Sequence, residues 1–359
     1  MAAARFRTVF DVSGLARPNW FPGHMARGMR EIARNLQHID YVIEVHDARV
    51  PVSGRNPLLQ ALQKPSTLLL NKMDLGDPAV NKIAKARLHE INPRHNVVLT
   101  SATLRLERAL TLVVDHILAN VPAERADKDG EGIHAMIVGM PNVGKSSTIN
   151  ALRRLLTGEG ARAKVGPIPG ITRAVMQPLH ISRDPKIMLI DTPGIMAPHI
   201  PNVEVGLKLA AVGTFIDHQV GEALIADYIL FSLNLRRKFD YVKRYNMDQP
   251  CDDINVFLSA LAQHSGLVLK GGLLNTTLAA ARFIKDYREG ALGRLTLDDA
   301  IVEGGLPAIV AAQTAQASSP KASEQARLPP LDEENWNPVD AFDRLRAEEK
   351  RLRGFKRRR

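Results

Sequence analysis

A chain of 359 residues, 45% of them hydrophobic, can bury at least one large core and has length for two domains plus tails. It holds no apolar run of the roughly 20 residues that a membrane-spanning helix needs, and its single cysteine, Cys251, excludes an intrachain disulfide and a cysteine-built zinc cluster, which suits a reducing compartment. The net charge of +10 favours an RNA-rich partner, and much of it lies at the C-terminal end, where Arg344, Arg346, Lys350, Arg351, Arg353, Lys356, Arg357, Arg358 and Arg359 face only Asp343, Glu348 and Glu349.

After a ragged start, the first organised stretch is Trp20-Phe21-Pro22-Gly23-His24-Met25, followed by a helical pattern to Leu36. Residues 41–46 read as a buried strand that ends in the polar turn Asp47-Ala48-Arg49. Strand and helix then alternate. Residues 57–62 predict a short helix, 67–70 a strand, 78–91 a helix, 96–99 a strand and 104–121 an amphipathic helix. Residues 122–132 are polar, bounded by proline and glycine, and read as a linker.

The alternation resumes with a strand over 135–138, a helix over 145–156 and strands over 175–181 and 186–190. This is the pattern of an α/β fold with a mostly parallel sheet. Beyond about residue 203 the strands stop, and 207–215, 220–235, 254–263 and 276–289 predict a separate helical domain. Residues 307–330, rich in Ala, Gln, Ser and Pro, read as a flexible linker to the basic end. The expected division is 1–40, 41–205, 206–300 and 301–359.

Gly139-Met140-Pro141-Asn142-Val143-Gly144-Lys145-Ser146 follows an apolar strand and opens a helix, the context a phosphate-binding loop requires. The backbone N–H groups of Asn142, Val143, Gly144, Lys145 and Ser146, with Ser147 behind them, can surround a β-phosphate at a helix N-terminus. Lys145 would neutralise β and γ oxygens, and the Ser146 hydroxyl would hold magnesium. Asp191-Thr192-Pro193-Gly194 ends a strand: Asp191 would face the magnesium and the Gly194 N–H the γ-phosphate. Between these motifs, Thr172 lies in a loop suited to the second magnesium contact.

Asn71-Lys72-Met73-Asp74 selects the base. The Asp74 carboxylate can accept two parallel bonds from guanine, whereas adenine has no matching pair of donors, so the nucleotide is GTP. Lys72 can lay its stem along the base plane. The turn at Thr100-Ser101-Ala102 would support the base through backbone N–H groups. The base motif precedes the phosphate loop, the reverse of the usual order.

That order resembles the circularly permuted GTPases. Within them, the Trp20 to Met25 segment, Asp47-Ala48-Arg49-Val50-Pro51, Arg55-Asn56-Pro57 and Pro169-Gly170-Ile171-Thr172 are similar to the ribosome biogenesis GTPase A family, and Glu44-Val45-His46-Asp47-Ala48-Arg49 with Gly170-Ile171-Thr172-Arg173-Ala174-Val175 to its organellar branch. The resemblance covers roughly residues 20–295. It implies late assembly of the large ribosomal subunit, with hydrolysis stimulated by the immature particle, and partners among the mitochondrial large-subunit precursor, its rRNA and its ribosomal proteins. It places Ile195 where many GTPases carry a water-orienting glutamine. It makes His24 a candidate for promoting hydrolysis, the alternative being a structural or RNA-contacting histidine. It makes Asn142 a candidate potassium ligand, the alternative being a turn-favouring asparagine.

Arg5, Arg7 and Arg17 against Asp11 suit a mitochondrial targeting segment or an ordinary basic end. The organellar likeness favours the mitochondrial matrix, with the matrix face of the inner membrane as a peripheral site and the cytoplasm as the alternative. Two other functions stay open: an rRNA-binding scaffold with little turnover, and an RNA-modifying or membrane-associated GTPase.

Overall fold

The computed structural model describes residues 6–15, 32, 35–56, 64–92, 95–104, 106–122, 132–160, 163, 178–195, 200 and 202–298. Its strands are β1 (Tyr41–Asp47), β2 (Ser66–Asn71), β3 (Asn96–Leu99), β4 (Ile133–Gly139), β5 (Leu179–Arg183) and β6 (Lys186–Asp191). They form one sheet in the order β3-β2-β1-β4-β6-β5, parallel throughout except for β5 against β6. Among the described residues, the helices α1 (Pro78–Ile91), α2 (Glu107–Asn120) and α3 (Lys145–Thr157) are the crossovers between parallel strands or lead out of them.

Why these elements form is readable locally. Asp77 caps α1 by accepting from the Ala79 and Val80 N–H groups, and Pro78 supplies the preset first-turn φ. On one sheet face Tyr41, Ile43 and Val45 of β1 meet Ala135 and Ile137 of β4, covered by Leu110, Val113 and Ile117 of α2 and Ile149 and Leu152 of α3. Val42, Met136, Val138, Ile190 and Ile195 pack on the opposite face with Ile32, Leu36 and Ile39. Both faces of the central strands are buried, as a parallel sheet requires.

The helical region follows β6 with α4 (Val203–Ala211), α5 (Asp217–Val220), α6 (Glu222–Leu235), α7 (Asp240–Arg244), α8 (Ile254–His264) and α9 (Thr276–Arg288). The predicted helix over 207–215 begins and ends earlier, because Asn202 caps it and Gly213 turns the chain with φ +86°. The predicted helix over 220–235 is split at Gly221, which has φ +98° and caps α6. Helix α7 was not predicted. The predicted strand over 175–181 is β5, shifted to Leu179–Arg183; residues 175–177 lie outside the described residues.

Within the start of the chain, residues 6–15 pack on the helical region. Phe10 stacks edge-on against Tyr228 at 5.2 Å and tilts against Phe231 at 5.4 Å, while Arg7 donates to both oxygens of Asp227, with Nη2 2.7 Å from Oδ1 and Nη1 3.1 Å from Oδ2. The Trp20 to Met25 motif, the predicted helix over 57–62, the switch loop over 169–173, most of the linker over 122–132 and everything from 299 onward lie outside the described residues. Among the described residues no helix is long and apolar enough to cross a membrane.

Candidate functional site

The parallel strands bring their carboxyl ends to one edge of the sheet, where ligands of open α/β folds bind. β1, β2, β4 and β6 thereby deliver Asp47, Asn71, the 139–146 loop and Asp191 to one place, through direct pairing of β1 with β2 and β4 and of β4 with β6. The reversed order of motifs in the chain does not separate them in space.

The phosphate loop has the backbone its sequence suggests. Asn142 (φ 60°) and Gly144 (φ 98°) are left-handed, an alternation that turns successive N–H groups toward one anion, and α3 starts at Lys145. Gly139 has no room for a side chain, since a Cβ would lie 2.3 Å from the Val45 carbonyl oxygen. The Lys145 ammonium donates to the Gly139 and Met140 carbonyls at 3.2 and 2.9 Å. Burial pushes its pKa down to about 8, with Asp191 acting in the opposite direction.

Asp191 ends β6 beside this loop. Its Oδ2 accepts the Ser146 hydroxyl at 2.8 Å, while its Oδ1 is buried without a hydrogen-bond partner. Burial raises the Asp191 pKa, opposed by Lys145 and by the bond from Ser146. A buried carboxylate oxygen with no donor next to a hydroxyl is a fitting pair of hard ligands for a small divalent cation that also takes phosphate oxygens. Gly194 lies against the phosphate loop: a Cβ there would meet Pro141 Cα at 2.6 Å, and the Ile195 N–H donates to Gly139 O. Ile195 itself is 1% exposed and packs in the apolar cluster with Val138 and Ile190.

The base-reading loop clasps the phosphate loop. Asn71 Nδ2 donates to Val143 O at 2.8 Å, and the Ala102 N–H donates to Asn71 Oδ1 at 3.0 Å, so in this structure Ala102 fixes Asn71. Ser101 is buried, and its Oγ accepts the Leu104 N–H at 3.2 Å. Lys72 stretches across to donate to Asn142 O at 2.6 Å and pairs with Asp47 at 3.0 Å. Asp74 Oδ1 is buried with no protein donor. The Asn142 amide nitrogen donates to Gly213 O at 2.7 Å, tying the loop to the segment after α4.

The residues thus brought together are Asn71, Lys72, Asp74, Ser101, Ala102, the run from Asn142 to Ser147, Asp191 and Gly194. His24 and Thr172 lie outside the described residues. Asp47 and Gly213 join the site only in the structure: the Asp47-Ala48-Arg49 turn is visible as a motif, but a carboxylate contacting a lysine 25 positions on leaves no periodic signal.

Residues 134–257 match the family model described as 50S ribosome-binding GTPase, a match that includes the phosphate loop and leaves Asn71 to Asp74 upstream. The chain is 41% identical over 314 residues to Mitochondrial ribosome-associated GTPase 1 of Ictalurus punctatus, covering 83% of this chain and 97% of that protein. Its identity to the Mus musculus protein of the same name is 42%, over 83% of this chain and 95% of that one. Ribosome biogenesis GTPase A of Bacillus pumilus (strain SAFR-032) is 33% identical over 78% of this chain and 97% of its own length. Among solved structures, GNP-bound YlqF from T. maritima superimposes with a TM-score of 0.52 at 22% identity, covering 76% of this chain and 97% of that one, which bears on the fold alone. The chain belongs to the family of mitochondrial ribosome-associated GTPase 1 and ribosome biogenesis GTPase A, circularly permuted GTPases in which the base-reading motif precedes the phosphate loop.

Proposed function

We propose that this GTPase assists assembly of the large subunit of the mitochondrial ribosome, binding the immature particle in its GTP state and leaving after hydrolysis. The observation that carries the reading is the clasp of Asn71 and Lys72 on the phosphate loop, which makes one nucleotide site from motifs in permuted order. The names of the relatives support a ribosomal particle as partner and a mitochondrial location. The matrix, including the matrix face of the inner membrane, is the compartment proposed.

In this reading Asp74 accepts guanine's ring N–H and exocyclic amine, Lys72 flanks the base, and Ser101 and Ala102 hold the loop that presents it. The loop from Asn142 to Ser147 surrounds the phosphates, with Lys145 neutralising β and γ oxygens. Ser146, Asp191 and Thr172 are the proposed magnesium ligands; the ion would neutralise charge on the β and γ oxygens. The Gly194 N–H would meet the γ-phosphate. Asn142 is the proposed potassium ligand, and equal turnover in potassium and sodium would remove that assignment.

Ile195 is buried among aliphatic side chains and has no group to orient water. Water must then be positioned by something else, either His24 or the particle, which supports stimulation by the partner. The chain passes from Gly194 into the helical region over 206–300, so a γ-phosphate contact there would bear directly on the placement of an RNA-facing unit. The basic end within 301–359 would add sequence-independent contact with rRNA.

The same burial of Ile195 supports the second reading, a GTP-dependent rRNA scaffold with little turnover. Replacing Lys145 by alanine in cells lacking the native protein separates the two. Failure of large-subunit maturation with RNA binding and GTP binding both retained and turnover lost supports the assembly GTPase; full maturation without turnover supports the scaffold.

A further inference from the structure

The Asp47-Ala48-Arg49 turn takes no part in the proposed nucleotide chemistry, yet the Asp47 and Arg49 side chains are each only 1% exposed. Every acceptor direction of the Asp47 carboxylate is used. Oδ1 accepts the Arg49 backbone N–H at 3.0 Å and Nε at 2.9 Å; Oδ2 accepts Arg49 Nη2 at 2.8 Å and lies 3.0 Å from Lys72 Nζ. Lys72 has φ 59°, a conformation that costs a non-glycine residue free energy and persists only where its surroundings hold it. Asp47 and the Asn142 carbonyl do the holding. On its far side Arg49 lies over the Tyr287 ring, 5.2 Å from the centroid, and its carbonyl accepts the Leu297 N–H at 2.7 Å.

After α9 the chain comes back along the base-reading loop. The Leu295 N–H donates to Leu75 O at 3.0 Å, and Thr296 Oγ1 accepts the Asp77 N–H at 2.9 Å. The Thr296 hydroxyl also reaches Asn81 Oδ1 at 3.3 Å, and Asn81 Nδ2 donates to Met73 O at 3.4 Å, inside the base motif. Asp298 accepts the Val52 and Ser53 N–H groups at 2.8 Å each and the Ser53 hydroxyl at 2.5 Å, which pins the same segment to the turn that carries Arg49. A Cβ on Gly290 would meet the Leu75 side-chain Cδ2 at 2.6 Å, so Gly290 packs directly on a side chain of that loop.

We infer that residues 290–298 form a strap which, together with Asp47 and Arg49, sets the guanine-reading loop, so that base occupancy and the anchoring of the helical region are coupled. The inference rests on Asp74 as the guanine acceptor. Thr296 and Asp47 are then positioning residues for base specificity. Coupling is reciprocal: whatever the strap contributes to guanine binding, guanine contributes to the strap.

Thr296→Val keeps the shape and removes the acceptor for the Asp77 N–H. GDP affinity of the full chain should fall roughly 3- to 10-fold, the worth of one net hydrogen bond. The preference for GDP over inosine diphosphate, which lacks the exocyclic amine, should shrink with it, a change that general destabilisation would not produce. In the wild-type chain, GDP should slow amide exchange at Leu295 and Leu297. Wild-type affinity and discrimination in Thr296→Val, or identical exchange of residues 290–298 with and without GDP, overturns the strap. Asp74→Asn tested with xanthosine diphosphate keeps the failures apart. Without a gain for xanthine the base reading itself falls; with that gain but flat exchange, the strap alone falls.

Discussion

Lys145 makes nucleotide binding a proton-linked event. The residue is 7% exposed, and its ammonium rests on two carbonyls and has its pKa lowered by burial from 10.5 to about 8. Phosphate oxygens favour the protonated form, so a bound nucleotide should hold the proton well above that value. With a free-site pKa of about 8, about one molecule in eleven keeps the proton at about pH 9, and GDP affinity should fall roughly tenfold between about pH 7 and pH 9. The sign for stability without nucleotide is the opposite. The folded pKa lies below the unfolded one, so the folded state loses its proton first as pH rises. The cost of burying the charge is fully present below pH of about 8 and is relieved between about 8 and 10.5, by on the order of 3 kcal/mol. Calorimetry in buffers of different ionisation enthalpy near pH of about 9 measures the proton taken up on GDP binding. Uptake close to one proton, absent in Lys145→Arg, is expected. No uptake in the wild type, or equal uptake in Lys145→Arg, would show that Lys145 does not take up the proton.

Three further substitutions probe the frame of the site. Asn71→Ala leaves the Val143 carbonyl and the Ala102 N–H without their side-chain partner and should cost about 1–3 kcal/mol in urea unfolding, with nucleotide binding weakened. No change in either would detach Asn71 from the clasp. Gly194→Ala drives a Cβ to 2.6 Å from Pro141 Cα, so the phosphate loop must shift; a loss of about 1–3 kcal/mol and a markedly weaker hold on GTP analogues are expected in titration. Phe10→Ala removes an aromatic side chain that is 8% exposed against Tyr228 and Phe231, and should lower stability by about 3 kcal/mol while leaving GDP affinity within twofold. A neutral result on stability would mean that the first residues do not belong to the helical core.

The parts legible in the sequence are those whose signal is local. Asp77 with Pro78 marks the start of α1, and the strand over 96–99 is a short apolar run between polar residues, so both appear in the structure with the predicted bounds. The phosphate loop is legible because glycine spacing, lysine and serine are all chemical necessities of one turn. The break at Gly221 was hidden because apolar residues continue on both sides of it at helical spacing, and only the local φ of +98° ends the helix. The bounds of β5 shift because they are set by antiparallel pairing with β6 at the sheet edge, with an irregularity between His180 and Ser182, rather than by local pattern. Phe10 on α6, Asp47 on Lys72 and Asp298 on the turn at Val52 and Ser53 are tertiary bonds, the first and last spanning more than 200 positions, and no periodicity in one chain encodes them.

The proposed role of GTP hydrolysis by this chain is in assembly of the large ribosomal subunit. Its most direct test is single-turnover GTP hydrolysis by the full chain in potassium and magnesium, with and without purified mitochondrial large-subunit precursors, followed by sedimentation with a GTP analogue or GDP. Hydrolysis accelerated by the precursor is expected, with co-sedimentation that is strong with the analogue and weak with GDP. An unchanged rate together with equal co-sedimentation in both nucleotide states would contradict it.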